Sequence, residues 1–320
     1  MGLGIKRLDT LKLGQDPILT EFAQRFENSD FVSSLLLPEV KVAKQTGKFP
    51  VYGNEHMRVH DTKRPFKSPV KSMQLDDMTL EEFILDSYGL EIPIDYLESE
   101  YASDFLDLER YAADVLMASI KLTQEYEAVQ LLQDSNTYSD DHYESLTTNE
   151  YFNDPDSDPI SIIRDAQETV RKKINRKPNV IVFGQSTFNA LQSHPKVLEL
   201  IKYSQSAIIT EDILSAIFST KDNPVAIRIG SGMYEDKATN SNVDLWGDVA
   251  VMAYNPKIGN RPMTSFDQSF GKTFVQKGYP WAARTNDRLD IIRYVSVLTV
   301  YKHYISQKDA GFCIANTIGS

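Results

Sequence analysis

Five stretches of this 320-residue chain hold residue types that could do chemistry. His56 and His60 stand four apart in HMRVH, but the glutamate that completes a catalytic zinc helix is missing and the surrounding breakers favour extended chain. Asp154, Asp156 and Asp158, with Asp165 at the twelfth position, follow the opening of a calcium loop, yet Pro159 stands where its sharp turn demands glycine. Gly271-Lys272-Thr273 reads like the end of a phosphate-binding loop whose first glycine is replaced by Phe266. Gly230 and Gly232 supply only half of a dinucleotide-binding fingerprint. Cys313 is the only cysteine, which excludes internal disulfides and cysteine-rich metal sites. His142, His194 and His303 are scattered singly, and spacing nominates no serine–histidine–aspartate grouping. No catalytic, cofactor-binding or metal-binding residue emerges, so a non-enzymatic protein without a cofactor is expected.

Charge is the stronger signal. The chain carries a net charge of −11, which argues against tight nucleic-acid binding by the protein as a whole. Residues 41–71 nevertheless hold eight basic residues (among them Lys48, Arg58, Lys63 and Arg64) against two acidic ones, a balance of +6. Residues 75–158 hold 23 acidic residues against Arg110 and Lys121, a balance of −21. Phe49, Tyr52 and Phe66 lie in the basic block and could stack on bases. The neighbouring acidic block would repel phosphate, and charge pairing between copies of the chain accounts for both blocks together.

The elements that position these charges follow from pattern. Residues 1–40 contain an amphipathic piece near Pro17–Phe26 and an apolar run Phe31–Leu37, and read as an arm lying on something else. Residues 41–74 mix β-like runs (Lys48–Tyr52, Met57–His60) with Gly and Pro, and predict a projecting hairpin that needs a surface to rest on. From Leu97 to Gln133 there is neither Pro nor Gly. A ladder through Tyr101, Phe105, Leu108, Ala112, Val115, Ser119, Leu122, Tyr126 and Val129, widened by Leu116 and Ile120, predicts one long helix, with Asp104, Asp107, Asp114, Glu125 and Glu127 on its solvated face. Residues 134–159 are acidic and turn-rich, a linker. Beyond it the pattern is α/β, with helices at Ile160–Ile174, Ser186–Gln192, after Pro195 and at Glu211–Phe218. Strands are expected at Asn179–Phe183, Val225–Ile229, Val249–Ala253, Asp290–Tyr304 and Asp309–Thr317. No stretch reaches the roughly 18 apolar residues of a membrane helix, and no secretory signal opens the chain, so no membrane partner is expected.

This order of parts resembles the major capsid proteins of tailed bacteriophages, whose fold encapsulin shells share. The passage PNVIVFGQSTFNALQSHPKVLELIKYSQSAIITEDILSAIF at 178–218 is similar to the family's strand–helix–helix stretch, and VDLWGDVAVMAYNP and DAGFCIANTI fit its later pattern. The resemblance implies an α+β phage major-capsid fold with an N-terminal arm (1–40) and an extended loop (41–74). It further implies a peripheral domain (75–159 with 286–320, on a spine helix over 97–133) and an axial domain (160–285). It implies a protein that assembles with itself into pentamers and hexamers around double-stranded DNA, in the host cytoplasm and then in the virion. A separate scaffolding protein, a portal and decoration proteins are the further partners it implies, and the DNA would be enclosed without sequence-specific binding. Lys48, Arg58, Lys63 and Arg64 on the loop, with Asp104, Asp107 and Asp114 on the helix, are the expected subunit-contact residues. The rival readings are an encapsulin-type compartment, an enzyme whose site is assembled from distant residues, and a nucleic-acid module built on 41–71.

Overall fold

The computed structural model describes residues 15–26, 28–52, 62–70, 78–102, 107–201, 209–256, 262–287 and 289–319. The chain is α+β. It opens with helix α1 (Pro17–Arg25), for which Asp16 is the N-cap, its carboxylate accepting from the backbone N–H of Ile18 and Leu19. A short turn of helix, α2 (Ser33–Leu36), leads into strand β1 (Glu39–Val42). A hairpin follows, β2 (Thr46–Tyr52) antiparallel to β3 (Met78–Ile84), and then β4 (Asp86–Asp95) and α3 (Tyr96–Ala102). The returning limb of the hairpin therefore extends past residue 74, to Ile84. The β-like run expected at Met57–His60 lies outside the described residues.

The helix expected over 97–133 is divided. Asp107 has an extended backbone (φ −80, ψ 92) and caps α4 (Leu108–Gln133) by accepting from Arg110 N at 3.3 Å. The 26 residues of α4 span roughly 39 Å. Its buried face also differs from the expected ladder. Ala112, Leu116, Ile120 and Val129 of the expected stripe are buried and Ala113 and Met117 join them, whereas the ladder positions Tyr101, Val115, Ser119 and Tyr126 are exposed. Two cores share this helix. Its first half packs with Leu19 and Ala23 of α1 and with Ile94 of β4, and Ala128, Val129 and Leu132 join a second, larger core.

After a strand β5 (Tyr143–Ser145) inside the acidic linker, the α/β part runs through α5 (Pro159–Ile174), β6 (Val180–Gly184), α6 (Gln185–Ser193), α7 (Pro195–Ile201) and α8 (Glu211–Phe218). It continues through β7 (Ala226–Gly230), the hairpin β8 (Met233–Asp236) and β9 (Ser241–Asp244), and β10 (Ala250–Ala253). The last strands are β11 (Gly271–Gln276), β12 (Trp281–Asn286), β13 (Ile292–Ile305) and β14 (Gly311–Ala315). One sheet is ordered β5-β14-β10-β6-β7; β6, β10 and β14 are buried at every position, as a strand covered on both faces must be. The other is built on β13, with β4 on one edge and β12 then β11 along the other, and with β1 parallel to β11. Gly271-Lys272-Thr273 is thus the start of a strand, with Lys272 fully buried and its Nζ donating to Ser265 O at 2.7 Å. Burial pulls the Lys272 ammonium down to about 8, against the opposing pull of Asp267.

Candidate subunit-contact surface

The hairpin has two unlike faces. Inward, Phe49 and Phe83 close on Phe274, at ring-centroid distances of 5.4 and 4.6 Å, and on Tyr304, whose hydroxyl donates to Ile84 O and accepts from Ile84 N. Gly47 is required here, since a Cβ would come within 2.6 Å of the Phe83 ring. Outward, Leu80 and Ile84 are exposed beside the pair Lys48–Glu82 (3.2 Å). The base of the hairpin is therefore anchored to its own chain, and the outer face presents an apolar and charged surface.

The expected contact residues fall into three groups. Lys63 and Arg64 lie exposed in the described stretch 62–70, which contributes no residue to the three cores. Lys48 faces Glu82 across the hairpin, Asp107 is held by the α4 cap and by Arg110 at 3.1 Å, and Asp114 is exposed on the outer face of α4. Arg58 and Asp104 lie outside the described residues. The structure thus gives Lys48 and Asp107 partners within the chain.

Two polar centres were not expected. Glu125, placed by the ladder on the solvated face, is 3% exposed. Its carboxylate accepts from Val32 N (3.0 Å), Ser33 N (3.1 Å), Ser33 Oγ and Trp246 Nε1 (3.0 Å). It sits on α4 where the helix passes from one core to the other, and ties the arm, the helix and the α/β part together. Trp246 is locked from the other side: a Cβ on Gly230 would lie 2.1 Å from its ring, and Gln133 Nε2 donates to its carbonyl. The signal in the sequence was a carboxylate three, four and seven residues before Ala128, Val129 and Leu132, on the apolar stripe itself. The second centre is Glu109 in the first turn of α4, paired with Arg284 (2.8 Å) and Arg293, while Arg284 also reaches Asp16 at 3.0 Å. The arm helix is thereby pinned to β12 and to the start of α4.

A cavity of about 1090 Å³ opens between the arm, α4 and the β11–β13 sheet, walled by Phe26, Met117, Ile120 and Tyr301 among others. Its carboxylates already have partners, several of them in the same wall: Glu21 with Arg25, Glu39 with Lys121, Glu125 with its four donors. Nearby, His303 is held neutral, pulled down to about 4 by burial, with Nε2 donating to Gln124 O and Nδ1 at 2.8 Å from Thr273 Oγ1. Tyr301 and Tyr88 both donate to Glu127 (3.1 Å each), and burial, reinforced by that carboxylate, raises both phenols, Tyr88 to about 12. Among the described residues no group of three or more His, Cys, Asp or Glu is placed to hold a metal ion. The outer face of the hairpin and the stretch 62–70 present exposed charge and apolar surface.

Comparison with known proteins follows the same line. Residues 107–261 match the family described as phage major capsid protein E. Over 316 residues, covering 98% of this chain and 99% of the relative, the sequence is 33% identical to the major capsid protein of Burkholderia phage BcepMu. A solved structure of a phage-related protein from Bordetella bronchiseptica RB50 is 25% identical, with a TM-score of 0.79 over 95% of this chain and 98% of that one. The holo-SrpI encapsulin complex of Synechococcus elongatus PCC 7942 shares the fold at 11% identity, with a TM-score of 0.55 over 92% of this chain and 89% of that one.

Proposed function

The chain belongs to the family of phage major capsid proteins, and from that premise we propose that copies of it close into pentamers and hexamers as an icosahedral shell around double-stranded DNA. The observation that carries this reading is the hairpin: its base is sealed by aromatic packing while its outer face and the stretch 62–70 stay exposed. An anchored element with an exposed outer face can meet the surface of a second copy. Each exposed ion pair it makes is worth only about 0–1 kcal/mol. A closed shell repeats the same weak contact many times, and the high effective concentration of neighbours turns it into a stable assembly. A scaffolding protein, a portal and decoration proteins belong to this reading, with assembly in the host cytoplasm and residence in the virion.

Negative-stain electron microscopy of the purified chain, alone and after concentration, tests it. Shells, tubes or hexameric rings are expected. A protein that stays monomeric even with its scaffold supplied would remove the reading. Nuclease-protected DNA within particles isolated from infected cells separates a virus shell from a cargo compartment.

A further inference from the structure

We propose that the outward face of α4 docks a cationic amphipathic helix carried by a different protein. The inference goes beyond the shell-forming reading, because it concerns a face that copies of this chain are not suited to cover for one another. The ladder positions of α4 that the cores leave out are not scattered. Tyr111, Val115, Ser119, Leu122 and Tyr126 follow one another in steps of four, four, three and four, which sets them on one stripe of the helix. Tyr111 is 56% exposed and Val115 and Tyr126 38% each, with Leu122 half-buried. At 1.5 Å per residue the stripe runs roughly 22 Å. It continues past the helix: the Tyr126 ring meets Tyr234 of the β8–β9 hairpin edge-on at 5.2 Å, and Val243, opposite Tyr234 in that hairpin, is exposed. The hydroxyls along the stripe are already satisfied. Ser119 Oγ donates to Val115 O and Thr123 Oγ1 to Ser119 O, at 3.0 Å each, so covering them strands no donor.

Shape and charge decide what covers the stripe. A ridge stepped by three and four residues fits the grooves of another helix, and the small Ser119 at its midpoint leaves room for a partner's side chain. The setting is acidic. The stripe on α4 lies within residues 75–158, where the balance is −21, and Asp114 stands exposed on that helix with no ion pair among the described residues. The cations of α4 are engaged, Arg110 with Asp107 at 3.1 Å and Lys121 with Glu39 at 3.3 Å. A partner rimmed by lysine or arginine is therefore favoured, while two α4 stripes face to face would set acid against acid. Among the described residues the chain holds no cationic helix with a free apolar side. The stretch 62–70 is interrupted by Pro65 and Pro69. Helix α5, which ends in Arg171, Lys172 and Lys173, buries Ile160, Ile163, Val170 and Ile174 in its own core. Helix α1 exposes Ile18 and Phe22, but its Glu21 and Arg25 pair with each other. The occupant is thus a helix from another protein.

The probe is a dye-labelled synthetic helix of about 20 residues, long enough for the stripe, with leucines at steps of three and four, lysines along both flanks and a benzophenone at its centre. Its binding to the full chain is read by fluorescence anisotropy, its position by cross-linking and mass spectrometry, and the state of the chain by electron micrographs of the same samples. Saturable binding roughly tenfold or more tighter than that of a scrambled peptide of equal charge is expected, with cross-links that fall in 111–130 or 234–243. Val115→Asp with Tyr126→Asp should abolish it without shifting the melting curve, since both side chains are exposed. Asp114→Lys should weaken the lysine-flanked peptide by about fivefold and favour a glutamate-flanked one, a charge test that stands even if the double variant melts early. Equal binding of patterned and scrambled peptides, or cross-links outside those two stretches, overturns the docking whether or not shells are seen. Docking on a chain that never forms shells, even with its scaffold supplied, upholds this inference and removes the shell reading alone.

Discussion

At the scale of single residues the protein depends on groups that a helical ladder alone misplaces. Glu125 satisfies three buried backbone or indole N–H groups, and its removal strands them away from water. Glu125→Ala is expected to cost about 3–5 kcal/mol, measured by denaturant unfolding, because each orphaned donor carries its own desolvation penalty. Glu125→Gln should cost less, since one oxygen can still accept. His303 adds a pH dependence of definite sign. In the folded chain it titrates near 4 and in the unfolded chain near 6.5, so as pH falls through that window the unfolded chain takes the proton first and stability drops, by up to about 3 kcal/mol. Comparing urea midpoints at pH 7 and pH 4.5 checks this; His303→Gln should flatten the difference.

At the scale of elements the sequence was read well where one helix or strand obeys one environment. The helix Glu211–Phe218 falls at its expected bounds and Val180–Gly184 within one residue of its own, because their apolar runs serve a single core, while Ile292–Ile305 falls within two residues on the strength of its β-branched and aromatic run although it borders three cores. The misreadings have physical causes. The face of α4 was rotated because the helix serves two cores in succession, and a ladder that admits Ser119 and Tyr126 averages over both. Strand β4, DSYGLEIPID, was missed because an edge strand with Gly89 and Pro93 carries little β propensity. Strand β11 was weighed as a phosphate loop because a buried lysine is a poor strand signal. Of the seven candidate contact residues, Lys63, Arg64 and Asp114 are exposed, while nothing in the spacing announced that Lys48 and Asp107 would find partners in their own chain. The aromatic base of the hairpin supplies an element-level prediction. Phe49→Ala is expected to cost about 3–5 kcal/mol, from an added cavity against Phe274 and Tyr304, and to raise the protease sensitivity of residues 46–84 ahead of the rest. Gly230→Ala should displace Trp246 and be strongly non-additive with Glu125→Ala, which a double-mutant cycle would measure.

At the scale of the whole molecule, charge is segregated while stability is local. The basic stretch lies outside every core, so Lys63→Glu with Arg64→Glu should leave the unfolding transition within about 0.5 kcal/mol of the parent and still impair assembly. Particle counts by electron microscopy beside a melting curve check both halves. Raising ionic strength should weaken assembly of the parent in the same direction, since exposed charges are screened over about 10 Å at 0.1 M salt.

The place of the late strands in the two sheets has a consequence for how the chain is made. Strand β13 is flanked by β4 on one side and β12 on the other, and β14 lies between β5 and β10. Residues 292–315 therefore fill the middle of both sheets, and β4, β5 and β12, which form ladders with β13 or β14 alone, have no strand partner until those residues leave the ribosome. Domains commonly fold as they emerge, the N-terminal parts first. Here a nascent chain holds its earlier strands on an unfinished scaffold, and the step that closes the sheets waits for residues 292–315. Translation of residues 292–315 then acts as a timer for the two sheets, since no shorter piece of the chain holds both of their central strands.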